Sequence, residues 1–364
     1  MQLILYFVSL KIITMKDLII SGYKVNYGLP PFIIAEGGVN HNSNLDLALK
    51  LIDAAAETGA DAIKFQTWKT EQLVTKAGKM ADYQKRNTGK EESQFDMLKN
   101  LELKEEWYPT LISRAKEKGI ILLSTPHGGN ESVDLLESYD FPAFKIASGD
   151  ITNLPLLEYA AKLNKPMLIS TGMSTMDEIK EAVETVKNAG NDQILIFHCT
   201  TDYPLAPENV NLRAIQTFMK ELGVLIGYSD HTLGSQVPIM AAALGACIIE
   251  KHFTLDRNMP GPDQVASMEP KDFKEMVAAL KQTPIIMGSG KKEPLKPELQ
   301  YLSVARKSIV ATRDIKAGEK FTRENLTIKR PGTGMHPREF KNILGKTAAR
   351  DIPQDTLLGR DMIL

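Results

Sequence analysis

The sequence predicts an α/β protein, a closed (β/α)8 barrel of the TIM type followed by a small β-rich domain. Three observations carry this. Eight short runs of β-branched and apolar residues alternate with amphipathic stretches of helical period. The runs lack a clean apolar–polar alternation, as expected of parallel strands buried on both faces. They spread over about 250 residues, the usual size of such a barrel, and no Gly-x-Gly-x-x-Gly follows any of them, which disfavours a dinucleotide-binding sheet.

In order, the predicted strands are Phe32–Glu36, Ala62–Gln66, Ile120–Thr125, Ala143–Ser148, Met167–Thr171, Ile194–Cys199, Val224–Ser229 and Cys247–His252. Between them, the periodicity predicts helices such as Asn44–Thr58, Lys104–Lys118, Thr175–Asn188 and Gly234–Leu244. Residues 1–31 are expected to form an N-terminal extension and barrel cap, 32–283 the barrel, 284–302 a linker rich in Gly, Pro and Lys, and 303–364 the last domain.

The opening MQLILYFVSLKIIT is apolar, but no basic residue precedes Leu3–Leu10 and no small-residue cleavage site follows. A run of this length is also too short to span a bilayer, which takes about 20 apolar residues. Either Met1 or Met15 serves as the start in this reading. The chain carries 44 basic and 45 acidic residues, so no global field points to nucleic acid or a membrane surface. Cys199 and Cys247 both lie in apolar runs and read as buried thiols of a reducing cytoplasm.

The functional signal is what ends the strands. All eight C-terminal ends are polar, and in a barrel these ends meet at one mouth, where barrel enzymes do chemistry. Taken singly, a strand-end Ser or Thr is usually a turn residue or helix cap. Lys64 and Lys145 are harder to explain so, because each breaks an apolar run and a buried ammonium needs partners. With the hydroxyls of Thr125, Ser148 and Ser170 they suit a phosphate or a phosphorylated acid.

His231 and His252 end the seventh and eighth predicted strands, with Glu250 and Asp263 near in sequence. Such a set suits a divalent metal with open positions, Mn2+, Fe2+, Co2+ or Zn2+. The competing reading makes each imidazole an ordinary hydrogen-bonded mouth residue. Glu36 is placed as a base, or alternatively as an ion-pair partner of Lys64. His41, His127, His198 and His336 have less support; His41 reads as a loop contact and His198 as a near-core imidazole.

FIIAEGGVNHN (32–42), KFQT (64–67), KIASG (145–149), STGM (170–173), YSDHT (228–232), EKHFT (250–254) and GPD (261–263) occur in this order. With them the chain resembles the bacterial sialic acid synthases from about Phe32 to its end. The resemblance implies metal-dependent condensation of phosphoenolpyruvate with N-acetylmannosamine or a close N-acetylated hexosamine, giving a nine-carbon 2-keto acid sugar and phosphate. It implies that Lys64, Thr125, Lys145, Ser148 and Ser170 hold phosphoenolpyruvate. His231 and His252 would hold the metal, Mn2+ first and Mg2+ or Co2+ as alternatives. Glu36, Gln66, Tyr203, Ser229, Glu250 and Asp263 would complete the active and sugar-binding sites.

The chain departs from the pattern at His127-Gly128, Asp150, Thr201 and Gln264, none of them a lysine or metal ligand. These departures leave the sugar open, since 2,4-diacetamido-trideoxy sugars serve related synthases of the legionaminate and pseudaminate type. A synthase of an eight- or seven-carbon acid is disfavoured by YSDHT and EKHFT. A non-catalytic carbohydrate- or ice-binding protein would be expected to lose Lys64, His231 or His252.

The final segment resembles the small antifreeze-like (SAF) domain that ends these synthases. In the family it crosses a domain-swapped homodimer and brings an arginine to the sugar, a position matched by Arg330. From Thr283 onward there are 16 basic and 9 acidic residues, against 28 and 36 before it. Opposite net charges favour docking of the two pieces.

Overall fold

The computed structural model describes residues 15–89 and 92–364, so the apolar leader lies outside the described residues. The chain divides into two compact units that meet at Gly288 and Ser289.

The first unit opens with an antiparallel hairpin, β1 (Leu18–Ile20) and β2 (Tyr23–Val25). Eight parallel strands follow: β3 (Phe32–Gly38), β4 (Ala62–Thr67), β5 (Ile121–Pro126), β6 (Phe144–Ile146), β7 (Met167–Ser170), β8 (Ile194–Cys199), β9 (Leu225–Asp230) and β10 (Ile248–His252). They form one sheet in the order β5-β4-β3-β10-β9-β8-β7-β6, so the first barrel strand pairs with the last. The outer strands β5 and β6 lie side by side and nearly close the barrel. The predicted strands are all present. β6 is the shortest because the chain turns into a 3-10 turn at Ser148–Asp150.

Local chemistry sets the connecting helices. Asn44 caps Leu45–Thr58 by accepting the Leu47 N–H at 3.0 Å, and Gly59 ends it at φ 82°, a conformation that favours glycine. Thr175 and Glu178 form a reciprocal capping box at the start of Met176–Asn188.

Strand alternation sorts the core into two layers. Ile33, Phe65 and Ile249 face the helices, whereas Phe32, Ile34, Leu123, Leu168 and Phe197 fill the barrel interior. Leu18, Ile20 and Val25 of the hairpin pack onto that interior layer. Each such buried side chain stabilises by about 1.5–3 kcal/mol relative to exposure. With its lower part filled, the barrel leaves only the C-terminal ends of its strands open for polar groups.

The last barrel helix runs Pro270–Met287 with Pro284 inside it, so the segment expected to be a linker from residue 284 begins as helix. Thr283 is buried against the barrel side, and the turn holds until the Gly288 N–H meets the Pro284 carbonyl at 3.2 Å. The segment also contains short helices at Lys296–Leu299 and Tyr301–Ala305.

The second unit pairs β11 (Ser308–Ala311) with β12 (Leu326–Lys329) antiparallel around Ile309, Ile315, Phe321 and Leu358. Among the described residues, no helix is long and apolar enough to cross a membrane.

Candidate active site

Alternation along each strand aims every second side chain inward. In β10 the inward pair is Glu250 and His252, and the ladder sets His252 beside Glu36 of β3, which in turn lies beside Lys64 of β4. The strand ends open on a cavity of about 240 Å³. Its lining contains Glu36, Lys64, Gln66, Thr125, Lys145 and Ser148, and also Ser170, Tyr203, Ser229, His231, Glu250, His252 and Asp263. Arg330 belongs to the second unit, directly after β12.

The floor is a buried charge network. Lys64 Nζ lies 2.6 Å from Glu36 and 3.8 Å from Glu250, and donates to Thr125 Oγ1 at 2.8 Å. Lys145 Nζ lies 3.5 Å from Glu250 and donates to Ser170 Oγ at 2.6 Å. Gln66 donates to Glu36 at 2.9 Å and Ser229 to Glu250 at 3.1 Å. Glu36 is thus both a candidate base and the ion-pair partner of Lys64.

Burial and neighbouring charge compete at each group. Burial lowers Lys64, but Glu250 and Glu36 outweigh it and hold the ammonium above the ordinary lysine range. Burial prevails at Lys145 despite Glu250, so its pKa is lowered. Burial also works against the Glu250 charge, yet Lys145 and Lys64 bring that carboxyl below the usual range. Glu36 is raised, because burial, with Glu250 adding to it, exceeds the pull of Lys64. Burial and then Glu36 push Asp263 up to about 7. Three carboxyls share two ammonium groups here: burial outweighs the lysines at Glu36 and Asp263, and the two lysines together outweigh burial at Glu250.

The opposite wall is aromatic. The Tyr203 ring lies 4.0 Å from the His231 ring and 5.4 Å from that of His252, and the two imidazoles are 5.4 Å apart. His231 Nδ1–H donates to the Thr200 carbonyl at 2.6 Å, leaving Nε2 with its lone pair. His252 Nδ1 is buried without a hydrogen-bond partner, and Asp263 lies 3.9 Å from it. Burial lowers His231 to about 4 and His252 well below its ordinary value, so both rings are neutral. Two neutral imidazoles with a free lone pair and an orphaned nitrogen fit a divalent cation. Among the described residues, no group of three His, Cys, Asp or Glu side chains is arranged to hold a metal by itself, so other positions would fall to substrate oxygens or water.

Tyr83 and Asn87 carry no signal that the sequence reading used, whereas Thr201 and His127 stand where it noted departures from the family pattern. Tyr83 comes from the long excursion between β4 and the helix Tyr108–Lys118, and its ring lies 4.8 Å from Tyr203. Asn87, on the same short helix Asp82–Thr88, donates to the Pro262 carbonyl at 2.7 Å. Thr201 lines the cavity with a buried, unpartnered hydroxyl. His127 lines the rim, 3.4 Å from Asp150. The other histidines behave as local structure: His41 Nδ1 accepts from the Ser43 N–H, His198 Nε2 meets the Val210 carbonyl, and His336 accepts from the Arg338 N–H.

Residues 51–292 match the NeuB family and residues 306–364 the SAF domain. The chain belongs to the NeuB family. Its sequence is 46% identical over 328 residues to the N,N'-diacetyllegionaminic acid synthase of Campylobacter jejuni, covering 90% of this chain and 98% of that one. It is 44% identical over 331 residues to the protein of the same name from Legionella pneumophila, covering 90% and 93%. Among solved structures it is similar to the N-acetylneuraminic acid (sialic acid) synthetase of Leptospira borgpetersenii in complex with citrate. That likeness has a TM-score of 0.69 and 34% identity, over 79% of this chain and 95% of the other. For this NeuB-family chain, the barrel, the terminal SAF domain and the family resemblance read from the sequence all hold.

Proposed function

We propose that this NeuB-family protein is a nonulosonate synthase. It condenses phosphoenolpyruvate with an N-acetylated hexosamine, forming a nine-carbon 2-keto acid sugar and phosphate. The observation that supports it most is the pairing of each buried lysine with a strand-end hydroxyl, Lys64 with Thr125 and Lys145 with Ser170, across the cavity from two neutral imidazoles.

In this reading Lys64, Lys145, Thr125, Ser148 and Ser170 hold the phosphate and carboxylate of phosphoenolpyruvate. Ser148 accepts the Gly172 N–H at 2.9 Å, which holds its hydroxyl oxygen in place on the cavity wall. Gln66, Tyr203 and Asp263 hold the open-chain sugar. A divalent ion, Mn2+ by first choice and Mg2+ or Co2+ as substitutes, would be held by His231 and His252 and supplies Lewis-acid polarisation of the sugar aldehyde. C3 of phosphoenolpyruvate forms the new bond to the aldehyde carbon, and the alkoxide gains a proton. Water adds at C2, its proton passing to Glu36, which burial makes a better base than an ordinary carboxylate. The C2–O bond then breaks, phosphate leaves with its charge held by the lysines, and the ketone remains.

The acceptor we favour is a 2,4-diacetamido-trideoxyhexose, because two of the relatives above 40% identity are named N,N'-diacetyllegionaminic acid synthase. N-acetylmannosamine is the second reading, favoured by the likeness to the Leptospira sialic acid synthetase. A cytoplasmic homodimer is part of the proposal.

The test is phosphate release by purified protein with Mn2+, phosphoenolpyruvate and a panel of both sugar types. The diacetamido sugar should give the highest kcat/KM, and His252→Ala should abolish release. No phosphate from any acceptor sinks the reaction; a preference for N-acetylmannosamine shifts only the sugar.

A further inference from the structure

A second cavity, of about 480 Å³, lies beside the active-site mouth, where the helices Met176–Asn188 and Arg213–Glu221 follow β7 and β8. Met173 and Cys199 line both cavities and form the wall between them. The chemistry of the two differs. The mouth sets lysines against carboxyls, whereas no acidic residue lines the second cavity. Its one guanidinium, Arg213, has no ion-pair partner among the described residues. Around it stand the neutral groups of Ser174, Asn209 and Asn211, with Met176 and Phe218 as an apolar wall.

One planar cation among amides and hydroxyls matches a single carboxylate on a polyhydroxylated molecule. The apolar wall matches the methyl groups of N-acyl substituents. Phosphoenolpyruvate fits poorly, since it carries more charge than one arginine balances.

We propose that this cavity is a regulatory site for a nine-carbon sugar acid of the kind the reaction makes. The proposal rests on the reaction proposed above. Its coupling to the mouth runs through Thr200. That residue lines the second cavity, its hydroxyl donates to the Asn209 carbonyl at 3.5 Å, and its own carbonyl holds His231 Nδ1 at 2.6 Å. A sugar acid that engages Asn209 and Arg213 displaces Thr200 and with it the carbonyl that orients His231. One residue further back, Cys199 accepts from Ser148 at 3.7 Å, so the same strand end touches the anion side of the mouth. Product bound here lowers turnover without occupying the mouth.

The experiment has a binding arm and a kinetic arm. Calorimetry with N-acetylneuraminate as the probe should find two sites per wild-type chain and one in Arg213→Met. Asn209→Leu, which keeps the charge and removes a polar partner, should weaken that same site about tenfold, the effect of roughly one lost hydrogen bond. In the kinetic arm, inhibition by the purified product should carry a component that acceptor sugar cannot overcome. That component should vanish in Arg213→Met with uninhibited kcat and KM unchanged. A single wild-type site, two sites surviving in Arg213→Met, or purely competitive inhibition overturns the proposal. If no acceptor yields product the proposed reaction fails, while the binding arm still decides whether the cavity takes a sugar acid.

Discussion

Lys64 Nζ lies 2.6 Å from Glu36 Oε2, and both side chains are almost wholly buried at the base of the mouth. Removing one partner of such a pair leaves an uncompensated charge and typically costs about 3–5 kcal/mol. Lys64→Met is therefore expected to destabilise the barrel by that amount near neutral pH. Glu36 already titrates high, because burial outweighs its lysine, and without Lys64 it will titrate higher. The variant then holds a neutral acid at low pH and a bare carboxylate at high pH, so its deficit grows as pH rises. Urea unfolding of wild type and variant at pH 5 and pH 8 measures this; an equal deficit at both would contradict it.

Asp263 makes a second pH prediction, with the metal removed by chelation. Its carboxyl ordinarily titrates at 3.8, and burial, then Glu36, raise it to about 7 in the folded chain. Between those values the folded state binds the extra proton, so stability falls as pH rises through the window. The full penalty above pH 7 is about 4 kcal/mol, from roughly three pKa units at 1.36 kcal/mol each. Asp263→Asn should match the wild-type pH trend only below pH 4 and gain on it steadily up to pH 7. Parallel stability curves across that window would show that the carboxyl is not held as argued.

The lysines of the mouth were legible because each interrupts an apolar strand, and the histidines because they end neighbouring strands. Parity carried further than the sequence reading took it. With Glu250 and His252 inward, Lys251 must point outward, and there its ammonium meets Asp230 at 2.5 Å and the Thr232 carbonyl at 2.7 Å. That pair lies within the YSDHT and EKHFT motifs, yet it faces away from the mouth. Tyr83 and Arg213 were not legible, since the loop that carries Tyr83 has no period to say where it turns back and a solvent-side arginine gives no pattern. Pro284 misled in the other direction, because proline marks a helix end only when the flanking turn lacks tertiary support, and buried Thr283 supplies it here.

Metal binding should appear as stability linked to His252. A ligand bound only by the folded chain stabilises it by about 2.7 kcal/mol when present at roughly 100 times its Kd. Titrating Mn2+ into chelated wild-type protein should raise Tm, with the free-ion spectrum lost in electron paramagnetic resonance. His252→Ala should show neither change. Its metal-free Tm should stay near that of metal-free wild type, because the ring is neutral and His252 Nδ1 makes no hydrogen bond. A Mn2+-dependent rise in Tm that survives the substitution would place the ion elsewhere.

Tyr83 acts on the site through Tyr203. Its ring lies 4.8 Å from Tyr203, which lies 4.0 Å from His231, while Arg86 and Asn87 of the same helix donate to the Tyr203 carbonyl at 3.3 Å and 3.4 Å. Aromatic pairs of this kind contribute about 0.5–1.5 kcal/mol beyond the area they bury. Tyr83→Ala should therefore raise KM for the acceptor sugar roughly 2- to 10-fold. KM for phosphoenolpyruvate should not move, since Lys64, Lys145 and their hydroxyl partners are untouched. Tyr83→Phe keeps the ring and should restore the wild-type value. Steady-state kinetics with each substrate varied in turn separates this from general damage, which would lower kcat and weaken both substrates in the alanine and phenylalanine variants alike.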